Sequence, residues 1–262
     1  MAKNKMLKQN GFLRNAAALM LVVGLAAAPQ AVLGQDANPA FDAKQNEAIE
    51  ALVRQYLLDH PEVVVEALQL YEQRQQAAQA ERQTAAITEL ADQLNNEAQD
   101  PVIGNPAGDV TLVEFFDYRC PYCKQMTDTL EQLIDEDPNL RVVMKEFPIL
   151  SKESVQAARA AMAALRQDKY EAFHFALMEN GGGFSDEEIL AVADSVGLDT
   201  ERLRSEMADP AIEGVLRNNH ALAEKIGITG TPAFVIGDAM IPGAVSLDEL
   251  RARIAAARAK AS

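Results

Sequence analysis

The two cysteines of the chain, Cys120 and Cys123, are separated by only two residues, Pro121 and Tyr122. Because no third cysteine is present, the pair is either a redox-active dithiol or part of a metal site. A tetrahedral metal site within one chain would need clustered histidines, and the three histidines are dispersed. An apolar strand pattern before the pair and a helix-like pattern after it favour redox chemistry. The residues therefore predict thiol–disulfide exchange.

The two sulfurs are expected to have different roles, because an exchange catalyst needs an exposed thiolate and a second thiol that resolves the mixed disulfide. Cys120 lies at the predicted start of a helix, where backbone amides and the helix dipole stabilise an anion and lower the thiol pKa. Cys123, one turn later, is expected to be buried and less acidic. Pro121 suits a first helical turn, and Tyr122 brings no positive charge to the thiolate.

A second element, Thr231-Pro232, stands between Gly230 and an apolar strand pattern. A proline that enters a strand is tolerated at its first position or at an edge, and this setting favours a cis peptide bond. An ordinary trans turn is the alternative. Together with the cysteine pair, the segment predicts a thioredoxin-type site, with the Thr231 backbone beside Cys120 and paired with an extended substrate peptide.

Glu114 is a third candidate, because it lies in an otherwise apolar strand pattern. A buried carboxyl there would have a raised pKa and could exchange a proton with Cys123. Strand alternation equally allows the side chain to point to solvent. Lys145 is predicted to be its charge partner.

No phosphate-binding loop, hydrolase triad or cofactor fingerprint occurs in the sequence, so no cofactor is expected. The net charge of −15 argues against nucleic acid as a ligand. The histidines are interpreted as a cap, a packing residue and a surface residue, in the order His60, His174 and His220. Five methionines at core-like spacings are interpreted as packing residues rather than copper ligands: Met126, Met144, Met162, Met178 and Met207.

The chain is predicted to begin with a secretory signal peptide, residues 1–34. Four basic residues and no acidic residue accompany an unbroken apolar run over residues 16–28, which ends in small residues near Gly34. The run is shorter than the ~20 residues of a spanning helix, so a permanent membrane anchor is the less favoured alternative. Export would place the dithiol in the periplasm, an oxidising compartment where a partner must set its redox state.

Residues 35–100 are predicted to form an N-terminal helical region that acts as an oligomerisation arm and linker. Its second helix is expected to run from Pro61 to about Ala98, and the middle of that helix offers only alanine as apolar material. A homo-oligomer through residues 36–99 is therefore expected. A helical extension folded back on its own domain is the alternative, because strict heptads are not sustained.

Residues 101–262 are predicted to form an α/β domain with a thioredoxin-like fold. The element order is strand, helix, strand, a helical block over residues 151–219, a hairpin about Gly237-Asp238, and a final helix. The helical block is expected to be an inserted subdomain. The predicted strands cover residues 110–116, 140–147, 233–236 and 239–241.

Residues 115–123, taken with Gly230-Thr231-Pro232, resemble the DsbA-like family of secreted thiol–disulfide oxidoreductases, over about residues 102–259. Residues 56–63 resemble the N-terminal segment of its ScsC-type (suppressor of copper sensitivity) members. The resemblance implies a thioredoxin fold with a helical insertion. It also implies the following roles: Cys120 as nucleophile, Cys123 as resolving thiol, Pro232 as cis-proline and Glu114 as the buried acid of the family.

The same resemblance implies that the chain can oligomerise through its arm and act as a disulfide isomerase that a membrane partner keeps reduced. We therefore expect an exported oxidoreductase for cysteine-containing proteins, working as an isomerase or reductase. One alternative is a monomeric DsbA-like dithiol oxidase, which needs the disulfide form of the Cys120–Cys123 pair. The other is a copper-binding or chaperone protein of copper tolerance, in which the thiolates hold Cu(I).

Overall fold

The computed structural model describes residues 41–181 and 183–261. The predicted signal peptide, residues 1–34, lies outside these described residues. The chain divides after Pro61 into two units, and each is described by itself. None of the described helices is both long enough and apolar enough to cross a membrane.

The N-terminal unit contains one described helix, α1 (Ala43–Asp59). A capping box begins it, because the Asp42 side chain accepts the Gln45 backbone N–H at 2.8 Å and Gln45 accepts that of Asp42 at 2.9 Å. His60 is the C-terminal cap of α1, as predicted. All residues of α1 are exposed, including several large apolar ones. These exposed apolar residues are Ile49, Leu52, Val53, Tyr56, Leu57 and Leu58.

Two further helices, α2 (Pro61–Glu89) and α3 (Ala91–Asn95), precede the sheet. The prediction of one continuous helix to about Ala98 is wrong, because the helix ends at Glu89 and a shorter one follows. Ile87 of α2 and Leu94 of α3 are both 1% exposed and pack in the same apolar cluster. The break is therefore associated with burial of both segments against the domain.

The second unit is built on a mixed five-stranded sheet with the order β1-β3-β2-β4-β5. Strands β2 and β3 are parallel, and the other neighbouring pairs are antiparallel. The strands are β1 (Val102–Gly104), β2 (Val110–Phe116), β3 (Leu140–Glu146), β4 (Ala233–Ile236) and β5 (Ala239–Pro242). The sequence analysis predicted β2 to β5 and missed the three-residue β1.

Seven helices complete the described part of this unit. Helix α4 makes the crossover between the parallel strands β2 and β3, and α5 to α9 lie between β3 and β4, where the insertion was predicted. The helices are α4 (Pro121–Glu136), α5 (Lys152–Ala164), α6 (Tyr170–Glu179), α7 (Asp186–Ser195), α8 (Thr200–Glu206), α9 (Pro210–Lys225) and α10 (Leu247–Ala261). This is the thioredoxin-like fold with a helical insertion that the sequence predicted.

The two faces of the sheet bury different apolar clusters. The front face carries Leu112, Phe116, Val142, Met144, Phe234 and Ile236, which pack with α4, α10 and the inserted helices. The back face carries Val113, Phe115, Val143, Ala233 and Val235, which pack with Ile87, Leu94, Leu222 and Ile226. Because successive side chains of a strand alternate between faces, Glu114 and Glu146 belong to the front face and Lys145 to the back face.

Candidate functional site

The cysteine pair lies where β2 passes into α4. Cys120 is the N-cap residue of α4, with Pro121 in the first helical position. The Cys120 N–H donates to the Asp117 carbonyl at 3.0 Å, and its own carbonyl accepts the Lys124 N–H at 3.1 Å. Cys123 lies in the first turn and is 1% exposed. Cys120 therefore lies at the positive, N-terminal end of helix α4, as the sequence analysis predicted.

The expectation of an exposed Cys120 is wrong, because the residue is only 4% exposed. The physical reason is the loop before β4, whose Thr231 carbonyl lies 3.2 Å from the Cys120 Sγ and accepts the hydrogen of the thiol in its protonated form. Tyr122, between the two cysteines, is 58% exposed. The surface of the site is thus formed by Tyr122 and by the partly exposed Thr231.

The pKa values of the two thiols are shifted in opposite directions from the ordinary value of a cysteine. A hydrogen bond from the Cys123 side chain is the main reason why the pKa of Cys120 is lowered to about 5. Burial alone would raise this pKa, but further hydrogen bonds from the Thr231 side chain and from the Cys123 and Tyr122 backbones also lower it. Burial raises the pKa of Cys123 well above its ordinary value, and the hydrogen bond with Cys120 and the charge of Glu114 add to this. One sulfur is therefore a stable thiolate at neutral pH, and its neighbour keeps its proton.

The peptide bond between Thr231 and Pro232 is cis, which confirms that part of the sequence prediction. The Pro232 carbonyl accepts the Gly243 N–H at 2.8 Å, which ties the loop to the end of the β4–β5 hairpin. An open groove of about 200 Å³ runs along this loop. It is lined by Thr229, Gly230, Thr231, Pro232, Met240 and Pro242, among others.

Glu114 is buried on the front face and is only 3% exposed. The alternative prediction, a side chain that points to solvent, is therefore wrong. Its register partners are Met144 on β3 and Phe234 on β4, two apolar side chains. Burial, and then the charge of Cys120, raises the pKa of Glu114 to about 8. A carboxyl with this pKa can hold or release a proton near neutral pH, and it interacts electrostatically with both sulfurs.

Lys145 is not the charge partner of Glu114, contrary to the prediction. The register pairs Lys145 with Phe115, so its side chain leaves the sheet on the back face, away from Glu114. There its Nζ donates to the Asp100 carboxylate and to the Gln93 carbonyl. The ion pair is buried, with both side chains 1% exposed.

Asp117, which the sequence analysis did not single out, organises the loop before Cys120. Its buried carboxylate accepts the Arg119 N–H at 2.8 Å and the N–H groups of Ile149 and Leu150 at 2.9 and 3.0 Å. An aspartate directly after a buried strand, which bonds its own backbone two residues on, was the available signal. The loop that carries Cys120 is thereby fixed to the loop that follows β3.

The remaining candidates have structural positions. His174 is buried and hydrogen-bonded, and His220 is exposed beside the Phe147 ring, which agrees with their interpretation as packing and surface residues. Met126, Met144, Met162 and Met178 are buried, and Met207 packs against the core, as expected. In residues 41–181 and 183–261, no group of three or more histidine, cysteine or acidic residues is placed to hold a metal.

Comparison with known proteins shows a match of residues 111–255 to the DSBA-like thioredoxin domain family. This chain belongs to that family. Residues 45–78 match a second description, the copper resistance protein ScsC N-terminal domain. The two matches agree with the resemblance that the cysteine, proline and N-terminal segments indicated, and the family is one of thiol–disulfide oxidoreductases.

Two solved structures illustrate the likeness of the chain to known proteins in sequence and fold. A thioredoxin-like oxidoreductase from Silicibacter pomeroyi DSS-3 is 48% identical, and the match covers 64% of this chain and 97% of that one, with a TM-score of 0.63. A linker-deletion mutant of Proteus mirabilis ScsC is 33% identical, with coverages of 85% and 99% and a TM-score of 0.64.

A curated relative of different length is also similar to the chain. The Na(+)/H(+) antiporter NhaA 3 of Salinispora tropica is 28% identical over 165 residues, which are 62% of this chain and 25% of the antiporter. The chain therefore spans about a quarter of the length of this relative.

Proposed function

We propose that the chain is an exported thiol–disulfide oxidoreductase that acts on cysteine-containing proteins as a disulfide isomerase or reductase. The observation that carries the proposal is the contrast between the sulfurs: the pKa of Cys120 is lowered to about 5, and that of Cys123 is raised by burial. A thiolate beside a protonated resolving thiol is what disulfide exchange requires. Membership of the family supports this redox chemistry.

In the proposed reaction, the Cys120 thiolate attacks one sulfur of a substrate disulfide. The substrate S–S bond breaks, its second sulfur leaves as a thiolate, and a mixed disulfide joins Cys120 to the substrate. In isomerisation, a substrate thiolate attacks the mixed disulfide and releases the Cys120 thiolate, so no net oxidation occurs. In reduction, Cys123 attacks the Cys120 Sγ, a Cys120–Cys123 disulfide forms, and the substrate leaves with both sulfurs reduced.

Glu114 is proposed to take the proton that Cys123 must lose before it attacks. The carboxyl is buried on the front face, and its charge raises the pKa of Cys123, which places the two groups within electrostatic reach. Its own pKa of about 8 makes it a proton acceptor only when it is ionised. Resolution is therefore expected to accelerate as pH rises toward 8.

The loop before β4 is proposed to hold the substrate peptide. Thr231 is partly exposed and its carbonyl contacts the Cys120 thiol, so a main chain that pairs with the Thr231 backbone would bring its own sulfur to Cys120. Pro232 forms the buried wall of this loop, and Pro121 and Tyr122 form the opposite side of the dithiol. The groove along the loop gives the extended peptide room to lie.

The choice of isomerase or reductase rests on the N-terminal region, residues 35–100, rather than on the dithiol. Residues 45–78 match the ScsC N-terminal domain, and large apolar side chains on α1 and α2 are exposed, among them Leu52, Tyr56, Leu68 and Tyr71. Such side chains are typical of surfaces that bind another chain. We propose a homo-oligomer through residues 36–99, which would present several dithiols to one substrate.

The proposed setting is the periplasm, reached through the predicted signal peptide of residues 1–34. An isomerase needs a dithiol that stays reduced in an oxidising compartment, so a membrane redox partner is proposed to return electrons to the Cys120–Cys123 pair. A monomeric oxidase would instead need a partner that removes electrons from the Cys120–Cys123 pair. Copper binding is the second candidate, because the family name that matches residues 45–78 is that of a copper resistance protein.

Refolding of a protein with scrambled disulfides separates these functions. The comparison uses the full chain, Cys120→Ser, Cys123→Ser and a variant that lacks residues 41–78 but keeps Gln83, whose side chain bonds the Ile226 carbonyl at 2.9 Å. We expect Cys120→Ser to lose all exchange, Cys123→Ser to lose reduction more than isomerisation, and the shortened variant to become monomeric and to lose isomerisation.

Two results would change the proposal. If the shortened monomer isomerises as fast as the full chain, the N-terminal region does not determine the direction. If the full chain refolds nothing and binds Cu(I) through both thiolates, copper binding replaces the enzymatic function.

A further inference from the structure

A buried polar cluster that the thiol chemistry does not use lies on the front face behind the dithiol. Its centre is Glu146, the last residue of β3, which is 1% exposed. The hydroxyl groups of Tyr118 and Tyr170 both donate to the same oxygen, Oε1 of Glu146, at 3.1 and 2.9 Å. The Tyr118 hydroxyl is also 3.0 Å from Nδ1 of His174. We call these four residues the Glu146 cluster.

The cluster joins two parts of the domain that are distant in sequence. Tyr118 lies in the loop between β2 and α4, two residues before Cys120, whereas Tyr170 and His174 lie on α6 of the helical insertion. The Tyr170 and His174 rings are stacked, with centroids 5.7 Å apart. The hydrogen bonds from the cluster to the loop pass through the Tyr118 hydroxyl, so Tyr118 links Glu146 and α6 to the chain that carries Cys120.

Burial favours the uncharged forms of the carboxyl and the imidazole in this cluster. Burial raises the pKa of Glu146 well above its ordinary value, against the hydrogen bonds from the two tyrosines, and burial lowers the pKa of His174 to about 3. Neutral groups also give a consistent order of protons. His174 donates from Nδ1 to the Tyr118 oxygen, Tyr118 donates to Oε1, Tyr170 donates to the same oxygen, and Glu146 keeps its own proton.

The neighbouring charges explain why an uncharged carboxyl belongs at this place. Asp117 and Glu114 both act on Glu146 electrostatically, and Asp117 lies in the same loop as Tyr118. An ionised Glu146 would add a further negative charge to those of Asp117 and Glu114, which like-charge repulsion disfavours. A protonated Glu146 accepts the same hydrogen bonds without that repulsion.

We propose that Glu146 and Tyr118 are positioning residues for the dithiol: the neutral carboxyl holds the Tyr118 hydroxyl, and Tyr118 holds the loop that aims Cys120 at the first turn of α4. The inference rests on the proposed exchange function. The thiolate depends on the backbone groups of Tyr122 and Cys123, so its stability depends on where this loop places the sulfur. Neither residue touches the substrate.

Two matched variants test the proposal, because Tyr118→Phe and Tyr170→Phe each remove one hydroxyl from the same carboxyl oxygen. The measurement is the pH dependence of alkylation of reduced Cys120 in the full chain, which gives its pKa. We expect Tyr118→Phe to raise the Cys120 pKa by about one unit, and Tyr170→Phe to leave it within about 0.3 unit. Tyr118→Phe is expected to melt at a lower temperature than Tyr170→Phe, since the Tyr118 hydroxyl also bonds the buried His174 ring and its loss leaves that imidazole without this partner.

Two further variants complete the test. Glu146→Gln is uncharged and can accept the same hydroxyl groups, so the Cys120 pKa is expected to stay within about 0.3 unit of wild type. A fall in that pKa would show that Glu146 is charged, and would overturn the neutral cluster. His174→Leu removes the other partner of the Tyr118 hydroxyl and provides a second test if Tyr118→Phe does not fold. It is expected to raise the Cys120 pKa.

The positioning role is overturned if Tyr118→Phe melts earlier with an unchanged Cys120 pKa, or if both phenylalanine variants change that pKa equally. The alkylation measurement needs no protein substrate. A wild-type chain that exchanges no disulfides would therefore refute the proposed function while leaving the result on Tyr118 intact.

Discussion

Lys145 and Glu146 are neighbours in β3, yet they are buried on opposite faces of the sheet in opposite chemical states. Lys145, on the back face, forms an ion pair with Asp100 beside α3. Glu146, on the front face, accepts hydrogen bonds from two tyrosine hydroxyl groups, and burial raises its pKa well above the ordinary value. Burial raises the pKa of Asp100 only to about 6, so that carboxyl is ionised at pH 7, whereas Glu146 has no cationic partner among its hydrogen bonds.

This contrast between Lys145 and Glu146 shows that the two faces of the sheet accommodate buried polar groups in different ways. The back face holds the segment before β1 against the sheet, and there a charge pair can be enclosed without affecting the thiols. The front face contains the Cys120 thiolate, and there burial raises the pKa values of Glu114 and Glu146, which disfavours further negative charge. The two faces are therefore expected to respond differently to substitution.

The largest effect is expected on the back face, from Asp100→Ala. Removal of this carboxylate leaves the Lys145 ammonium buried without a charge partner, which typically costs about 3–5 kcal/mol of unfolding free energy. Denaturant titration measures the loss. The double variant Asp100→Leu/Lys145→Met is the control, and it is expected to recover most of the stability because no charge remains. An Asp100→Ala variant as stable as wild type would show that the pair does not form.

On the front face, Glu114→Gln is expected to stabilise the protein at neutral pH. Glu114 keeps its proton to about pH 8 when folded, whereas its ordinary pKa is 4.5. The folded state therefore binds the extra proton, and wild-type stability falls as pH rises from 4.5 to 8. Glutamine removes this dependence, so the variant should be more stable by about 2–3 kcal/mol at pH 7.

Denaturant titrations of Glu114→Gln and wild type at pH 5, 6, 7 and 8 check the sign. The difference in unfolding free energy between the two proteins should grow as pH rises toward 8. A difference that does not change with pH would mean that Glu114 titrates normally, and its proposed exchange of a proton with Cys123 would then fail.

The smallest effect is expected from Gln83→Ala, which defines how far the back-face packing extends along α2. The Gln83 side chain donates to the Ile226 carbonyl at 2.9 Å, and loss of such a bond typically costs about 1 kcal/mol. Gln76→Ala, at an exposed position of the same helix, is the control and should have no measurable effect. If both variants lost the same unfolding free energy, the packed part of α2 would not end between Gln76 and Gln83.

Much of the fold could be predicted from the sequence, because strands β2 and β3 and the hairpin β4–β5 are largely apolar segments with clear ends. The capping box of Ser185 and Glu188, whose three-residue spacing can be read in the sequence, begins α7. Strand β1 was missed because three residues give no periodic signal. The break after Glu89 was missed because α2 and α3 share a helical pattern, and only burial of Ile87 and Leu94 on the sheet distinguishes them.

The site was predictable where one short segment determines it, and not where distant segments meet. The position of Cys120 and Cys123 at the start of α4 follows from local sequence. The partner of Lys145 could not be predicted from local sequence, because strand pairing places Lys145 opposite Phe115 rather than Glu114. Likewise, no spacing in the sequence indicates that Tyr118 meets Glu146, since a parallel pair of strands separated by α4 brings them together.

The most direct test of the account is the pKa of Cys120 in the reduced wild-type chain. Thiolate absorbance in the ultraviolet, followed from pH 3 to pH 10 with Cys120→Ser as the blank, measures it. The account predicts a single titration near pH 5 that disappears in the blank, because hydrogen bonds from Cys123, Thr231 and the start of α4 stabilise the anion. A titration at pH 8 or above would contradict the proposed nucleophile.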